Sequence, residues 1–386
     1  MAPIAPDSDP STSPTTADTE FATGANDVRV AAKKVGALTD RSFSTRYELH
    51  NLLGEGGMGL VRSCKDSRIG RSVAMKVIRA EKDSVGLRAR FLREARVQGQ
   101  LEHPSIVPVY DLDTGPDGAI YFTMKRVLGL TLADVIDGLR ARDPSIVPHY
   151  SRRKLLTAFG SVCLAIEFAH SRGVIHRDLK PENVMLGDFG EVYVLDWGVA
   201  KVTGETDDGV FDQDQASTLK TAAGSYVGTL GYMSPEQRCG TEVDERSDVY
   251  GLGAILFELL TLESLHTGNA GEVSASTVSG VDARASVRCP KAEVPPELEL
   301  LCVQATALNP EERLGSARDL QQAVERYLDG DRDVERRRDL SIAHAATAKK
   351  LLGSTLNSLG AEDRALAMRE VGRAVALDPL NEVALT

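Results

Sequence analysis

Eight consecutive residues, His176-Arg177-Asp178-Leu179-Lys180-Pro181-Glu182-Asn183, bring a carboxylate, a cation and an amide within one short stretch. A carboxylate within hydrogen-bond reach of a hydroxyl can orient it and accept its proton. A neutral amide oxygen suits a hard cation such as Mg2+. Moving a phosphoryl group needs such parts close together, because its catalysis is mostly positioning and charge neutralisation.

A second constellation lies upstream. Leu53-Gly54-Glu55-Gly56-Gly57-Met58-Gly59-Leu60-Val61 carries a GxGxxGxV pattern. Glycines let the backbone approach a polyphosphate and present N–H donors without side chains in the way. Alone, the pattern also suits a flexible hairpin turn. It falls between two expected strands rather than between a strand and a helix, which argues against a dinucleotide site. Val73-Ala74-Met75-Lys76 follows, and its lysine ends an apolar stretch at a distance that suits a clamp on phosphates.

The elements that must position these groups fall into two halves. From residue 47 to about 124 the pattern is strand-rich: 47–50 and 60–64 as a hairpin, then 72–78, 107–112 and 120–124, with a helix over 87–101. Beyond residue 129 it turns helical, most clearly over 131–140, 154–171, 248–262, 296–307 and 316–328. Residues 207–215 are acidic and read as a mobile loop; 268–290 are small and polar and read as an irregular insertion. A small sheet followed by a larger helical body is an α+β pattern with two lobes. Residues 1–46 are rich in Pro, Ser, Thr and Asp and are expected to be a disordered tail.

Composition sets outer bounds. The chain has 386 residues, 42% of them hydrophobic, so it can bury a sizeable core. A formal charge of −11 argues against a nucleic-acid binder. Cys64, Cys163, Cys239, Cys289 and Cys302 are scattered, with no metal-ligand spacing, and read as reduced thiols of a cytoplasmic protein. No secretory signal or membrane span is expected; residues 251–262 are apolar but short, and carry Glu258.

Taken together, the motifs resemble those of bacterial serine/threonine protein kinases of the eukaryotic type. The resemblance covers residues 47–328 and implies a bilobal kinase fold: a five-stranded antiparallel sheet with one helix, a hinge near 125–128, and a mostly helical lobe over 129–328. It implies ATP and Mg2+ as cofactors, protein Ser/Thr hydroxyls as substrates, autophosphorylation and a bacterial signalling role. Leu53 to Val61, Ala74, Lys76, Met124 and Val127 would border the nucleotide. Lys76 would need an anionic partner; Glu94 suits the strand-to-helix crossing, with Glu81 and Glu102 as competitors. Asp178 would be the proton acceptor, and Lys180 would balance charge and favours Ser/Thr over Tyr. Asn183 would be one metal ligand.

The second metal ligand is ambiguous by spelling alone. Asp188-Phe189-Gly190 forms the familiar triplet, but it stands five residues after Asn183, flanked by Gly187 and Gly190 as in a hairpin turn. Residues 191–195 then alternate like a strand and deliver Asp196-Trp197-Gly198, thirteen residues after Asn183. The resemblance fits there, so Asp196 is the expected ligand, with Trp197 in place of the usual Phe. Residues 196–236 would be the activation segment, with Thr229 in the substrate groove and Thr218, Thr221 and Ser225 as candidate phosphorylation sites. Arg177 could pair with such a phosphate. Glu236 and Arg313 resemble a buried ion pair, and Asp248 would accept backbone bonds from the catalytic loop.

Residues 329–386 read as a helical extension. Within it, 373–381 resemble part of a tetratricopeptide repeat, which implies either further repeats or packing on the kinase body, and a surface for partner proteins. A pseudokinase scaffold is the alternative to an active enzyme.

Overall fold

The computed structural model describes residues 43–56, 59–79, 84–202, 230–352, 361–379 and 381. Its first lobe is a five-stranded antiparallel sheet in the order β1-β2-β3-β5-β4. The strands are β1 (Tyr47–Glu55), β2 (Gly59–Asp66), β3 (Arg71–Ile78), β4 (Val109–Thr114) and β5 (Ile120–Lys125). In β3, Val73, Ala74, Met75 and Lys76 are all buried. That continuous burial, rather than alternation, marks a strand covered on both faces.

Helix α1 (Phe43–Arg46) precedes the sheet, so residues 43–46, expected in the tail, are helical. Phe43 packs edge-on against Tyr121 with ring centroids 5.0 Å apart, and Arg46 pairs with Asp66 and Asp111. These contacts are made to residues far along the chain, so local composition concealed them. The rest of the tail lies outside the described residues.

Helix α2 (Val85–Gln100) crosses the sheet, its start capped by the Ser84 hydroxyl accepting from the Leu87 amide. Its buried face holds Phe91, Glu94, Ala95, Val97 and Gln98. A chain link then leads through β6 (Gly129–Thr131) into the second lobe.

That lobe is built on α3 (Leu132–Arg140), α4 (Arg152–Ser171), α5 (Pro235–Cys239), α6 (Glu245–Thr261), α7 (Ala270–Ser279), α8 (Ala285–Arg288), α9 (Pro296–Ala305) and α10 (Ala317–Leu352). Helix α6 is buried nearly all round and forms the axis of the core with α4 and α9. Short strands β7 (Val174–Ile175), β8 (Val184–Gly187), β9 (Val192–Val194) and β10 (Lys201–Val202) follow α4 in this lobe. β8 pairs with both β6 and β9.

One expectation about this lobe is corrected. The segment 268–290 is not irregular: it contains α7 and α8. Asn269 and Glu272 form a reciprocal capping box, and Val273 and Thr277 are buried one turn apart. Small residues masked that amphipathic pattern. Helix α10 runs unbroken from this lobe into the extension. Helix α11 (Ala361–Leu377) then packs antiparallel along the distal half of α10. Ala345 and Ala348 are buried there with Ala367 and Ala374, and the Ser341 hydroxyl donates to the Ala374 carbonyl over 2.7 Å. Among the described residues, no helix is long and apolar enough to cross a membrane.

Candidate active site

Lys76 reaches the cleft from β3, whose register against β2 and β5 is continuous on both sides. Its Nζ lies 2.5 Å from Glu94 Oε1 on α2 and 3.8 Å from Asp196 Oδ1 in the second lobe. Of the three acids considered as its partner, Glu94 is the one that meets it; Glu81 lies outside the described residues. Burial alone would lower Lys76, but Asp196 and Glu94 outweigh it and hold the ammonium above its usual value. Burial pushes Glu94 up to about 7, with Lys76 pulling it back. Its second oxygen, Oε2, is buried without a hydrogen-bond partner.

This shift has a signed consequence. Glu94 becomes an anion only as pH rises through about 7, and only then does it pair fully with Lys76. The folded chain holds that proton more tightly than the unfolded one, so the group favours folding at acid pH. That favour is lost as pH rises from about 4.5 to about 7. ADP affinity, measured by calorimetry, should fall several-fold between about pH 8 and pH 6, and Glu94→Gln should lose that difference. Equal slopes in both proteins would remove Glu94 as its cause.

The glycine-rich segment joins β1 to β2. A Cβ at Gly59 would stand 2.5 Å from the Val77 carbonyl oxygen, so only glycine lets the two strands close there. The Gly56 amide donates to the Gly59 carbonyl over 2.9 Å, folding the tip back on itself. Leu53 is half exposed, while Ala74 is buried and sits opposite Met124 in the β3–β5 register. Gly57 and Met58 lie outside the described residues.

Asp178 is held from two sides. Lys180 Nζ donates to its Oδ2 over 2.8 Å, and Asn183 Nδ2 donates to its backbone carbonyl at 2.8 Å and its Oδ2 at 3.1 Å. Burial would lower Lys180, but Asp178 outweighs it and raises the ammonium. The loop is moored from beneath by Asp248, whose carboxylate accepts the amides of His176 and Arg177, each at 2.8 Å. Burial would raise Asp248; His170, His176 and the Arg177 amide reverse that and hold it below the usual range. His176 Nδ1 accepts the Asp178 amide, so its Nε2 carries the proton given to the Leu195 carbonyl.

β9 runs directly into Asp196, which adopts φ +58°, a conformation a non-glycine residue rarely takes. Lys76 pulls the Asp196 carboxyl below its ordinary value, with Lys180 and His176 adding to the effect. Trp197 is only 1% exposed and packs edge-on to the His176 ring at 4.6 Å. It joins a core cluster with Val97 and Leu101 of the α2 region. Asp188, by contrast, stands in the β8–β9 turn, where Gly190 has φ +87° and Phe189 is 92% exposed.

The site has an outer frame. Arg313 Nη1 and Nη2 meet the two Glu236 oxygens at 2.6 and 2.8 Å, and the Ser247 hydroxyl adds a third donor. Removing one member leaves the other charge buried and unmatched, so Arg313→Ala should cost about 3 kcal/mol, read by urea denaturation. A change below about 0.5 kcal/mol would show the pair to be dispensable. Gln237, which carried no signal in the sequence, donates to the Arg177 carbonyl over 2.7 Å. Arg177 and Lys201 also line a cavity of about 300 Å³ beside α5. Thr218, Thr221, Ser225 and Thr229, and the acidic stretch 207–215, lie outside the described residues.

The donor chemistry fits a hard divalent cation. Asp196 offers a carboxylate that is 46% exposed to the cleft, and Asn183 commits its amide nitrogen to Asp178, which leaves its oxygen available. Among the described residues, no three His, Cys, Asp or Glu side chains gather to hold a metal by themselves. Mg2+ typically takes one or two protein oxygens and completes its shell with phosphates and water.

A five-stranded lobe with one crossing helix, a helical lobe beneath, and these groups meeting in the cleft between them define the bilobal protein kinase fold. The family model for the protein kinase domain matches residues 47–326, and the chain belongs to that family. It is 38% identical over 301 residues to the serine/threonine-protein kinase PknD of Chlamydia trachomatis serovar D, covering 74% of this chain and 32% of that protein. The PknD proteins of Chlamydia muridarum and Chlamydia pneumoniae are each 35% identical, over 313 and 293 residues. They are covered to 33% and 31% of their lengths, with 77% and 74% of this chain. The chain thus spans about a third of the length of the curated relatives it matches.

Proposed function

We propose that this chain is an ATP- and Mg2+-dependent serine/threonine protein kinase that moves the γ-phosphoryl group of ATP to hydroxyls of protein substrates. The observation that carries the reading is the meeting of Lys76 with both Glu94 and Asp196, from three separate elements, above the Asp178–Lys180–Asn183 loop. Residues 47–328 form the kinase domain in this reading, with the hinge near 125–128.

Lys76, fixed by Glu94, orients the α- and β-phosphates. The backbone of residues 53–61 covers them, and Ala74, Met124 and Val127 border the adenine. Asp178 orients the substrate hydroxyl and accepts its proton, and Lys180 offsets charge on the transferring group. Asp196 and Asn183 would hold Mg2+, which when bound neutralises charge on the phosphates. The Arg177–Lys201 cavity suits a phosphorylated hydroxyl of the activation segment, with Thr218, Thr221 and Ser225 as candidates and Thr229 beside the substrate. We place the enzyme in bacterial cytoplasmic signalling. The likeness of 373–381 to a tetratricopeptide repeat is the basis for reading the α10–α11 hairpin as a partner surface.

Incubation with labelled ATP and Mg2+ tests the reading. Label should enter the chain itself and a Ser/Thr peptide, and not a Tyr peptide. Binding of ATP without any transfer would replace this reading with that of a nucleotide-responsive scaffold.

A further inference from the structure

The basic hinge, Lys125-Arg126, has a structural partner that nothing in the site above uses. Lys125 ends β5 in the first lobe. Its ammonium donates to the hydroxyl of Tyr193, the middle residue of β9 in the second lobe. The same nitrogen lies 4.6 Å from the centre of the Tyr193 ring. Tyr193 is 5% exposed, so its hydroxyl needs a partner inside the protein. The bond to Tyr193 raises Lys125, aided by Glu191 and Tyr110.

The two ends of this contact lead to the two sides of the cleft. On one side, β5 pairs residue by residue with β3, with Val73 opposite Lys125 and Lys76 opposite Phe122. On the other, Tyr193 stands three residues before Asp196 on a strand of three residues. That strand is held to the first lobe by the Val194 amide donating to the Ser105 carbonyl over 2.8 Å. The Leu195 amide donates to the Asn183 carbonyl over 2.8 Å, within the second lobe. A shift of Tyr193 therefore carries Asp196 with it, and a shift of Lys125 carries the β5–β3 pair that bears Lys76.

We infer that Lys125 and Tyr193 form a clasp behind the hinge that positions Asp196 against Lys76 across the cleft. The clasp joins a flexible cation to a rigid, buried phenol. It restrains the angle between the lobes without occupying the nucleotide site. Its catalytic consequence rests on the kinase reading; its structural consequence does not.

The test uses the full chain with Lys125→Met, Lys125→Arg, Tyr193→Phe and the Lys125→Met/Tyr193→Phe double variant. Tyr193→Phe keeps the ring in place and removes only the hydroxyl, so its fold is not at risk from a cavity. Amide exchange at Val194 and Leu195 should speed up about ten-fold in Lys125→Met and in Tyr193→Phe. kcat/KM for ATP should fall about ten-fold in both, with unchanged KM for the peptide substrate. Two residues acting through one bond should give a double variant no worse than either single one. Lys125→Arg, which preserves the cation, should stay within about two-fold of the parent. Wild-type exchange in Tyr193→Phe, or fully additive losses in the double variant, would overturn the clasp. If the parent protein transfers no phosphate at all, the kinase reading fails, and the exchange measurement still decides the clasp.

Discussion

Asp196→Asn is expected to lower phosphate transfer about 10³-fold, or roughly 4 kcal/mol of barrier, while Asp188→Asn stays within about two-fold of the parent. Both residues begin an Asp-aromatic-Gly triplet, and only their surroundings separate them. Asp196 lies 3.8 Å from Lys76, is drawn down in pKa chiefly by that ammonium, and opens on the cleft. Asp188 sits in a two-stranded turn beside an aromatic ring that is 92% exposed. Replacing Asp196 by Asn removes a charge that both a divalent cation and Lys76 would feel, with almost no change in shape. The measurement is initial-rate phosphate incorporation at saturating ATP, with melting curves to confirm that both variants fold. Loss of rate in Asp188→Asn and survival in Asp196→Asn would reverse the assignment of the metal ligand.

Asp178→Asn should lower transfer by about 10²- to 10⁴-fold while leaving ADP affinity within about three-fold. The carboxylate holds Lys180 at 2.8 Å and accepts from Asn183, so an amide in its place weakens the first contact and cannot take a proton. Neither contact involves the elements that would grip the nucleotide, namely β1, β2 and β3. A combined loss of rate and of ADP affinity would mean that Asp178 organises the loop rather than accepting a proton. Undiminished transfer would end the role assigned to it. The Asp248 mooring gives a control: Asp248→Asn disturbs the loop through its backbone and should reduce folding stability as well as rate.

Much of the site was legible because its parts are short and local. The eight-residue loop folds within its own span: Asn183 and Lys180 both turn back to Asp178. The turn at Asp188 could be told from the strand that leads to Asp196 by counting, because a glycine-flanked turn needs few residues and a strand must follow it. The unbroken α10 and the capped α7 were harder to read. Helix α10 carries charge on most of its length and α7 is made of small residues, so neither displays a strong apolar stripe. Capping and packing decide such cases, and both depend on residues elsewhere in the chain.

The residue types and their order were enough to determine the chemistry this chain can offer: a glycine-lined tip, a lysine on a buried strand, and an acid, an amide and a second acid at set intervals. Spacing along the chain expresses those groups because each lies on a local turn or strand whose geometry a few neighbours dictate. How the phenol of Tyr193 is satisfied and where the Gln237 amide is spent were decided only by the tertiary structure. Those pairings join residues 60 to 68 positions apart. They form because burying a charge or a hydroxyl is costly until a distant partner arrives, and the folded core alone determines which partner that is.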